Sequence, residues 1–119
     1  RKLISWHAGS DALLSPNDHY RNWTTMTGIA KSMGLADPNS TTRFFIVPGG
    51  GHGAGGSLQE VDWASAIMGW VENDDAPTQL TYNFTSGGTA RSMPACQYPK
   101  YPKYKGSGDV NAAASYSCS

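Results

Sequence analysis

Charge is scarce in this sequence. Asp, Glu, Lys and Arg make up 15% of its 119 residues and cancel to a formal net charge of +0, whereas globular chains average about 25% charged residues. Without a run of Lys or Arg there is no basic patch to neutralise phosphates, which excludes nucleic acid as a partner. Long apolar runs are missing too: the longest, Phe44 to Val47, has four residues, far below the ~20 that span a bilayer. A membrane is excluded in the same way. The chain opens on Arg1-Lys2 with no initiator Met and no basic-then-apolar leader, and so reads as a processed or truncated piece. Apolar residues reach only 39% and concentrate before residue 84. One domain at most is expected, with a last third that wraps the core and adds little to it.

Cysteine is also sparse. Cys96 and Cys118 flank a Pro/Tyr/Gly-rich stretch that offers a buried thiol little core to hide in, so a disulfide closing that loop is the preferred reading. Two free thiols in a cytosolic protein are the alternative. Asn-x-Ser/Thr sequons at Asn22, Asn39 and Asn83 lean toward an extracellular glycoprotein if the source is eukaryotic.

What is present reads as alternating strands and helices. Leu3 to His7 forms a short apolar run ending in a small-residue turn, as a buried strand does before a loop. Ser15-Pro16-Asn17-Asp18 then starts a helix, with a capping hydroxyl, a proline at the first helical position and an acid in the first turn. Tyr20, Trp23, Met26, Ile29, Ala30 and Met33 continue it as one apolar stripe, and Gly34 stops it. Phe44–Val47 is a second buried strand, followed by a glycine-rich loop holding His52. Ser57-Leu-Gln-Glu60 reads as a capping box opening a helix from about Leu58 to Glu72. Its apolar positions cover more than half the circumference, so packing on two surfaces is expected. Leu80–Phe84 alternates weakly, like an edge strand. Beyond Ser86 no regular element is expected except a turn of helix at Asn111–Tyr116.

Strands joined through a helix of this length run parallel, with a right-handed crossover. A parallel sheet needs both faces covered, and two strands with two helices cannot supply that. The expected fold is therefore α/β, the β-α-β-α part of a larger doubly wound sheet whose other strands lie upstream or on another chain.

Chemistry collects at the carboxyl ends of such strands. Asp11 follows the first strand and His52 the second, so neighbouring strands would bring together an acid and an imidazole 41 positions apart. An acid orienting an imidazole base is two thirds of a nucleophilic triad, and acid before histidine is the order in α/β-hydrolases, where the serine comes earlier. No G-x-S-x-G-like elbow occurs in the chain, which places the serine elsewhere. The bland reading makes Asp11 a cap and His52 a solvated loop group. Gly51 to Gly56 also satisfies G-x-G-x-x-G, the mark of a dinucleotide-binding oxidoreductase. It ranks lower, because Asp74 and Asp75 end a helix where that motif wants an acid at a strand end. His7, Asp11, Asp18 and His19 gather near one strand end but match no zinc spacing, and His7 reads as a strand-end group bonded to backbone. Trp23, Trp63 and Trp70 fall on helical stripes and read as core.

These residues resemble the tannase and feruloyl esterase family of secreted α/β-hydrolases. Trp6-His-Ala-Gly-Ser-Asp11-Ala-Leu-Leu-Ser-Pro16 is similar to the family's segment around the triad acid, and Phe45-Ile-Val-Pro-Gly-Gly-Gly-His52 to that around the triad histidine. Asp62-Trp63 through Ala76-Pro77 matches the following helix. Tyr104-Lys-Gly-Ser-Gly-Asp-Val-Asn111, on to Cys118, is like the terminal signature, with Cys96 as partner of Cys118. The resemblance implies that residues 1–119 are the C-terminal portion of the catalytic domain, with 85–119 as a wrapping tail. It implies serine-type hydrolysis of aromatic (phenolic) acid esters such as feruloyl or galloyl esters, with Asp11 and His52 catalytic. Nucleophile, oxyanion hole and lid would lie upstream or on another chain. No cofactor is expected in this chain, and calcium belongs to the lid. Gly53 stands where the family has a cysteine bonded to one before the serine, so that partner is expected to be lost as well. The alternative is a binding relative that keeps the fold without turnover.

Overall fold

The computed structural model describes residues 1–52 and 61–119. The part of the glycine loop from Gly53 on and the proposed capping box at Ser57 lie outside those residues. The element order begins β1 (Leu3–Ala8), α1 (Pro16–Ser32), α2 (Pro38–Thr41) and β2 (Thr42–Val47). It continues with α3 (Trp63–Asn73), β3 (Gln79–Ser86), β4 (Thr89–Gln97), β5 (Pro102–Tyr104), a 3-10 turn at Ala113–Ser115 and β6 (Tyr116–Cys118). The main sheet has four strands in the order β1-β2-β4-β3.

β1 and β2 pair in parallel from Leu3↔Thr42 to Ala8↔Val47, as the helical crossover requires. Successive side chains on a strand point to opposite faces, and β2 uses this to address two helices at once. Phe44 meets Tyr20 and Trp23 of α1 at ring separations of 5.9 and 5.6 Å, while Phe45 meets Trp63 of α3 at 5.6 Å. Both phenylalanines are fully buried. Helices thus lie on both faces of the sheet, the layering expected of an α/β fold.

The helices differ in detail from the sequence expectation. Ser15 occupies the N-cap of α1 with Pro16 just inside, but its side chain makes no capping bond; its carbonyl accepts from Asp18 and His19. The α1 stripe is only partly covered, with Met26, Ile29 and Met33 exposed. α3 starts at Trp63, where Asp62 takes the N-cap and accepts the Ser65 N–H at 2.9 Å, as short acidic side chains do at helix starts; the start expected near Leu58 lies outside the described residues. α3 also buries one side only. Trp70 is 1% exposed and lies between Lys2 and Arg43, 4.9 and 4.7 Å from its ring centre, whereas Met68 and Val71 are exposed. Trp63 stacks on Trp6 at 5.6 Å. The tryptophans expected in the core are accounted for by these contacts and by Trp23 against Phe44.

The last third is more ordered than the sequence implied. Residues 79–97 form an antiparallel hairpin, Gln79↔Cys96 to Ser86↔Thr89, closed by Gly87-Gly88, both at positive φ. Two left-handed residues are what a two-residue hairpin turn needs. β3 is an edge strand, as its alternation indicated, and β4 lies between it and β2. Pro94 hides β4 from a sequence reading, since proline is rare in central strands. It is tolerated because β2 pairs with β4 only at Phe45↔Gln97 and Ile46↔Cys96, leaving Pro94 clear of that ladder. β5 and β6 form a second small sheet, and the Cys96–Cys118 disulfide, with a Cα separation of 5.6 Å, ties it to the end of β4 that abuts β2.

Two stability predictions follow from this packing. Replacing both cysteines, C96A with C118A, is expected to cost about 3 kcal/mol of unfolding free energy in urea titrations, the order of a loop of this size. Tyr82, buried in β3, donates its hydroxyl to the Pro48 carbonyl at 2.7 Å, and burial pushes its phenol up to about 12. Tyr82→Phe is expected to cost about 1–2 kcal/mol by the same measurement, the penalty for a buried acceptor losing its donor.

Candidate active site

The register of β1 on β2 ends at Ala8↔Val47, so the two strands release their loops at the same level and side by side. Backbone bonds then join the loops: the Gly9 N–H donates to the Val47 carbonyl at 2.8 Å and the Ser10 N–H to the Gly50 carbonyl at 2.9 Å. Gly9 is there because the loops run so close. A Cβ at this position would sit 3.2 Å from both Ile46 Cγ2 and the Val47 carbonyl, tighter than side-chain packing normally allows.

Asp11 lies in the first loop, three residues past β1, with 6% of its side-chain surface exposed. Its two oxygens have separate partners. Oδ1 accepts the backbone N–H groups of Leu13 and Leu14, each at 2.9 Å, the local turn chemistry of aspartate. Oδ2 faces His52 Nδ1 at 3.0 Å. The Leu14 N–H, then the His52 and Leu13 contacts, outweigh the opposing effect of burial and hold the carboxyl down at about 2. Asp11 is therefore an acceptor only. The hydrogen between the pair belongs to His52 Nδ1, and Nε2 is left as the basic nitrogen. The His52 side chain is 43% exposed, so the imidazole is open to solvent while the carboxylate is not.

The acid and the imidazole singled out from the sequence are thus in contact. Asp11 is not the helix cap of the bland reading: Ser15 takes the N-cap of α1, and the other Asp11 oxygen closes the local turn onto the Leu13 and Leu14 N–H groups. Of the group weighed as metal ligands, His7 Nε2 stands 3.4 Å from Asp11 Oδ2 and bonds the Leu14 carbonyl at 3.0 Å, the backbone partner expected for it. His19 lies against His7, while Asp18 turns away to Arg21 on the helix surface. Among the described residues no group of three or more His, Cys, Asp or Glu side chains could hold a metal ion. Among those residues no helix is long and apolar enough to cross a membrane.

Sequence reasoning missed what surrounds the pair. The Leu13 and Leu14 N–H groups could have been found from an aspartate followed by a turn. Tyr82, which anchors the carbonyl of Pro48 four residues before His52, left no such signal, since its strand is distant in sequence.

Comparison with known proteins agrees with this architecture. The chain is 38% identical over 119 residues to an uncharacterized esterase of Agrobacterium fabrum, covering 98% of this chain and 21% of that protein. It is 35% identical over 124 residues to the mono(2-hydroxyethyl) terephthalate hydrolase of Piscinibacter sakaiensis, covering 98% of this chain and 19% of that one. It therefore spans about a fifth of the length of these curated relatives. In fold it is similar to the crystal structure of feruloyl esterase B from Aspergillus oryzae, with a TM-score of 0.74 at 24% identity over 99% of this chain and 26% of that one. With the family model for tannase and feruloyl esterase matching residues 1–119 from end to end, the chain belongs to the tannase and feruloyl esterase family.

Proposed function

We propose that this chain supplies the acid and the base of a Ser-His-Asp triad in a serine-type carboxylic ester hydrolase, Asp11 as the acid and His52 as the base. The observation that carries this reading is the 3.0 Å contact between His52 Nδ1 and Asp11 Oδ2, made by a carboxylate whose other oxygen is already engaged. A serine from another part of the enzyme attacks the acyl carbon, and His52 Nε2 takes its proton. The Asp11 carboxylate stabilises the imidazolium, which then protonates the departing alcohol; water repeats the sequence on the acyl-enzyme. Backbone N–H groups near that serine bind the oxyanion.

Residues 1–119 are, in this reading, the C-terminal portion of the catalytic domain. The outer edge of β1 has no partner strand among the described residues, and beside it Leu3, Met26 and Ile29 are exposed, as expected where a larger sheet continues. The relatives named for feruloyl esters, tannin and a terephthalate ester support aromatic acid esters as substrates. The disulfide supports a secreted enzyme. Any calcium would, by the family resemblance, lie in the upstream lid, and no step here uses it.

Two outcomes test the reading on the enzyme that contains this chain. His52→Ala and Asp11→Asn should each lower kcat toward methyl ferulate by about 10³–10⁴-fold; near-normal turnover in either would sink it. The pH dependence of stability checks the electrostatics separately. The folded-state value of Asp11 lies below its ordinary 3.8, at about 2, so its contribution is fully present above about pH 4 and is lost as pH falls through 2. Urea midpoints measured between pH 5 and pH 2 should fall less steeply in Asp11→Asn than in the parent.

A further inference from the structure

Behind Asp11, on the α1 side of the sheet, three side chains that the proposed reaction does not use form an unbroken line. Ser5 Oγ lies 2.9 Å from His19 Nε2, His19 Nδ1 lies 2.8 Å from His7 Nδ1, and His7 Nε2 lies 3.0 Å from the Leu14 carbonyl oxygen. A carbonyl can only accept, so His7 Nε2 carries a hydrogen and neutral His7 presents Nδ1 as an acceptor. His19 Nδ1 must then donate to it, and neutral His19 takes the Ser5 hydroxyl hydrogen at Nε2. A single arrangement of hydrogens satisfies every contact with both rings neutral. Burial, then the neighbouring His7, lowers the pKa of His19, which favours that neutral state.

The line reaches Asp11 at two points. The Leu14 residue whose carbonyl His7 holds is the same one whose N–H donates to Asp11 Oδ1 at 2.9 Å. His7 Nε2 also stands 3.4 Å from Oδ2, the oxygen that meets His52. With the hydrogen moved to Nδ1, the Nε2 lone pair would face both the Leu14 carbonyl and the carboxylate, repelling each.

We propose that His19 is a positioning residue: its Nδ1–H holds His7 in the Nε2–H tautomer, and His7 in turn fixes the Leu14 peptide and the Asp11 carboxylate where they orient His52. The kinetic part rests on the esterase reading above.

The test compares two substitutions in the enzyme that contains this chain. His19→Phe keeps a ring for the edge-on contact with Phe44, now 5.0 Å between centres, but has no donor. His19→Asn loses the ring and keeps an N–H near the position of Nδ1. With p-nitrophenyl acetate as substrate, His19→Phe should lower kcat about tenfold, the weight of one hydrogen bond, with KM unchanged, and His19→Asn should recover most of the loss. Nitrogen-15 histidine NMR should show His7 as the Nε2–H tautomer in the parent and as a mixture in His19→Phe. Unchanged kcat in His19→Phe, equal losses in both variants, or a parental His7 protonated at Nδ1 would each overturn the proposal. A parental His7 protonated at Nδ1 would do so even where His19→Phe does not fold. A parent enzyme inactive on esters would overturn the esterase reading instead, and the tautomer would still report on the array.

Discussion

The parallel ladder between β1 and β2 is the constraint from which the site follows. Because the register ends at Ala8↔Val47, the chain leaves both strands at one level, and a short loop on each suffices to bring Asp11 to His52. A slip of one residue would turn every β2 side chain to the opposite face, exchanging the environments of Phe44 and Phe45, both fully buried against different helices. The aromatic packing that stabilises the sheet is thus also what fixes the geometry of the acid and the imidazole. The two backbone bonds from Gly9 and Ser10 carry that register past the strand ends and into the loops.

Within the loops, the distribution of partners around one carboxylate sets the chemistry. An aspartate shielded from water is costly unless its lone pairs are occupied, and here the Leu13 and Leu14 N–H groups and His52 occupy them. The result is an acid that stays ionised and immobile beside an imidazole that remains open on its other nitrogen. The two requirements conflict in a single environment, since burial favours neutral groups and exposure weakens orientation. They are met by placing the acid under the loop and the imidazole at its surface.

Much of this was legible in the sequence, for identifiable reasons. The α1 stripe, the Phe44–Val47 run and the strand-then-loop settings of Asp11 and His52 are local patterns whose period or spacing survives folding. The β4 strand was hidden because Thr89 to Gln97 is poor in β-branched residues and contains Pro94; its strand character comes from its neighbours, a tertiary effect that propensity does not report. The Gly87-Gly88 pair was the available signal, a two-residue turn at the end of an alternating run. α3 begins later than the pattern implied because Asp62, read from the sequence as part of the helix, holds the cap. The sequence brought His7 and His19 near one strand end but not into contact. That contact joins a strand residue to a helix residue, and only the packing angle of α1 on the sheet determines that they meet.

The tail owes its ordered state to the same strand that positions His52. β4 pairs with the end of β2 at Ile46↔Cys96, the Tyr98 N–H donates to the Phe44 carbonyl at 2.8 Å, and the Tyr98 ring packs on Tyr20 at 4.1 Å. The disulfide from Cys96 then fastens β6 and, through it, β5. From the other side of the hairpin, Tyr82 reaches the Pro48 carbonyl. β2 is consequently held along its length by β1 on one side and at its exit by the hairpin on the other. A loop that presents an imidazole within hydrogen-bonding reach of a fixed carboxylate gains from having its root immobilised in this way, because ordering it beforehand lowers the entropic cost of holding that contact. The residues after Ser86 therefore act on the candidate site by fixing the point from which the His52 loop departs, without touching Asp11 or His52 themselves.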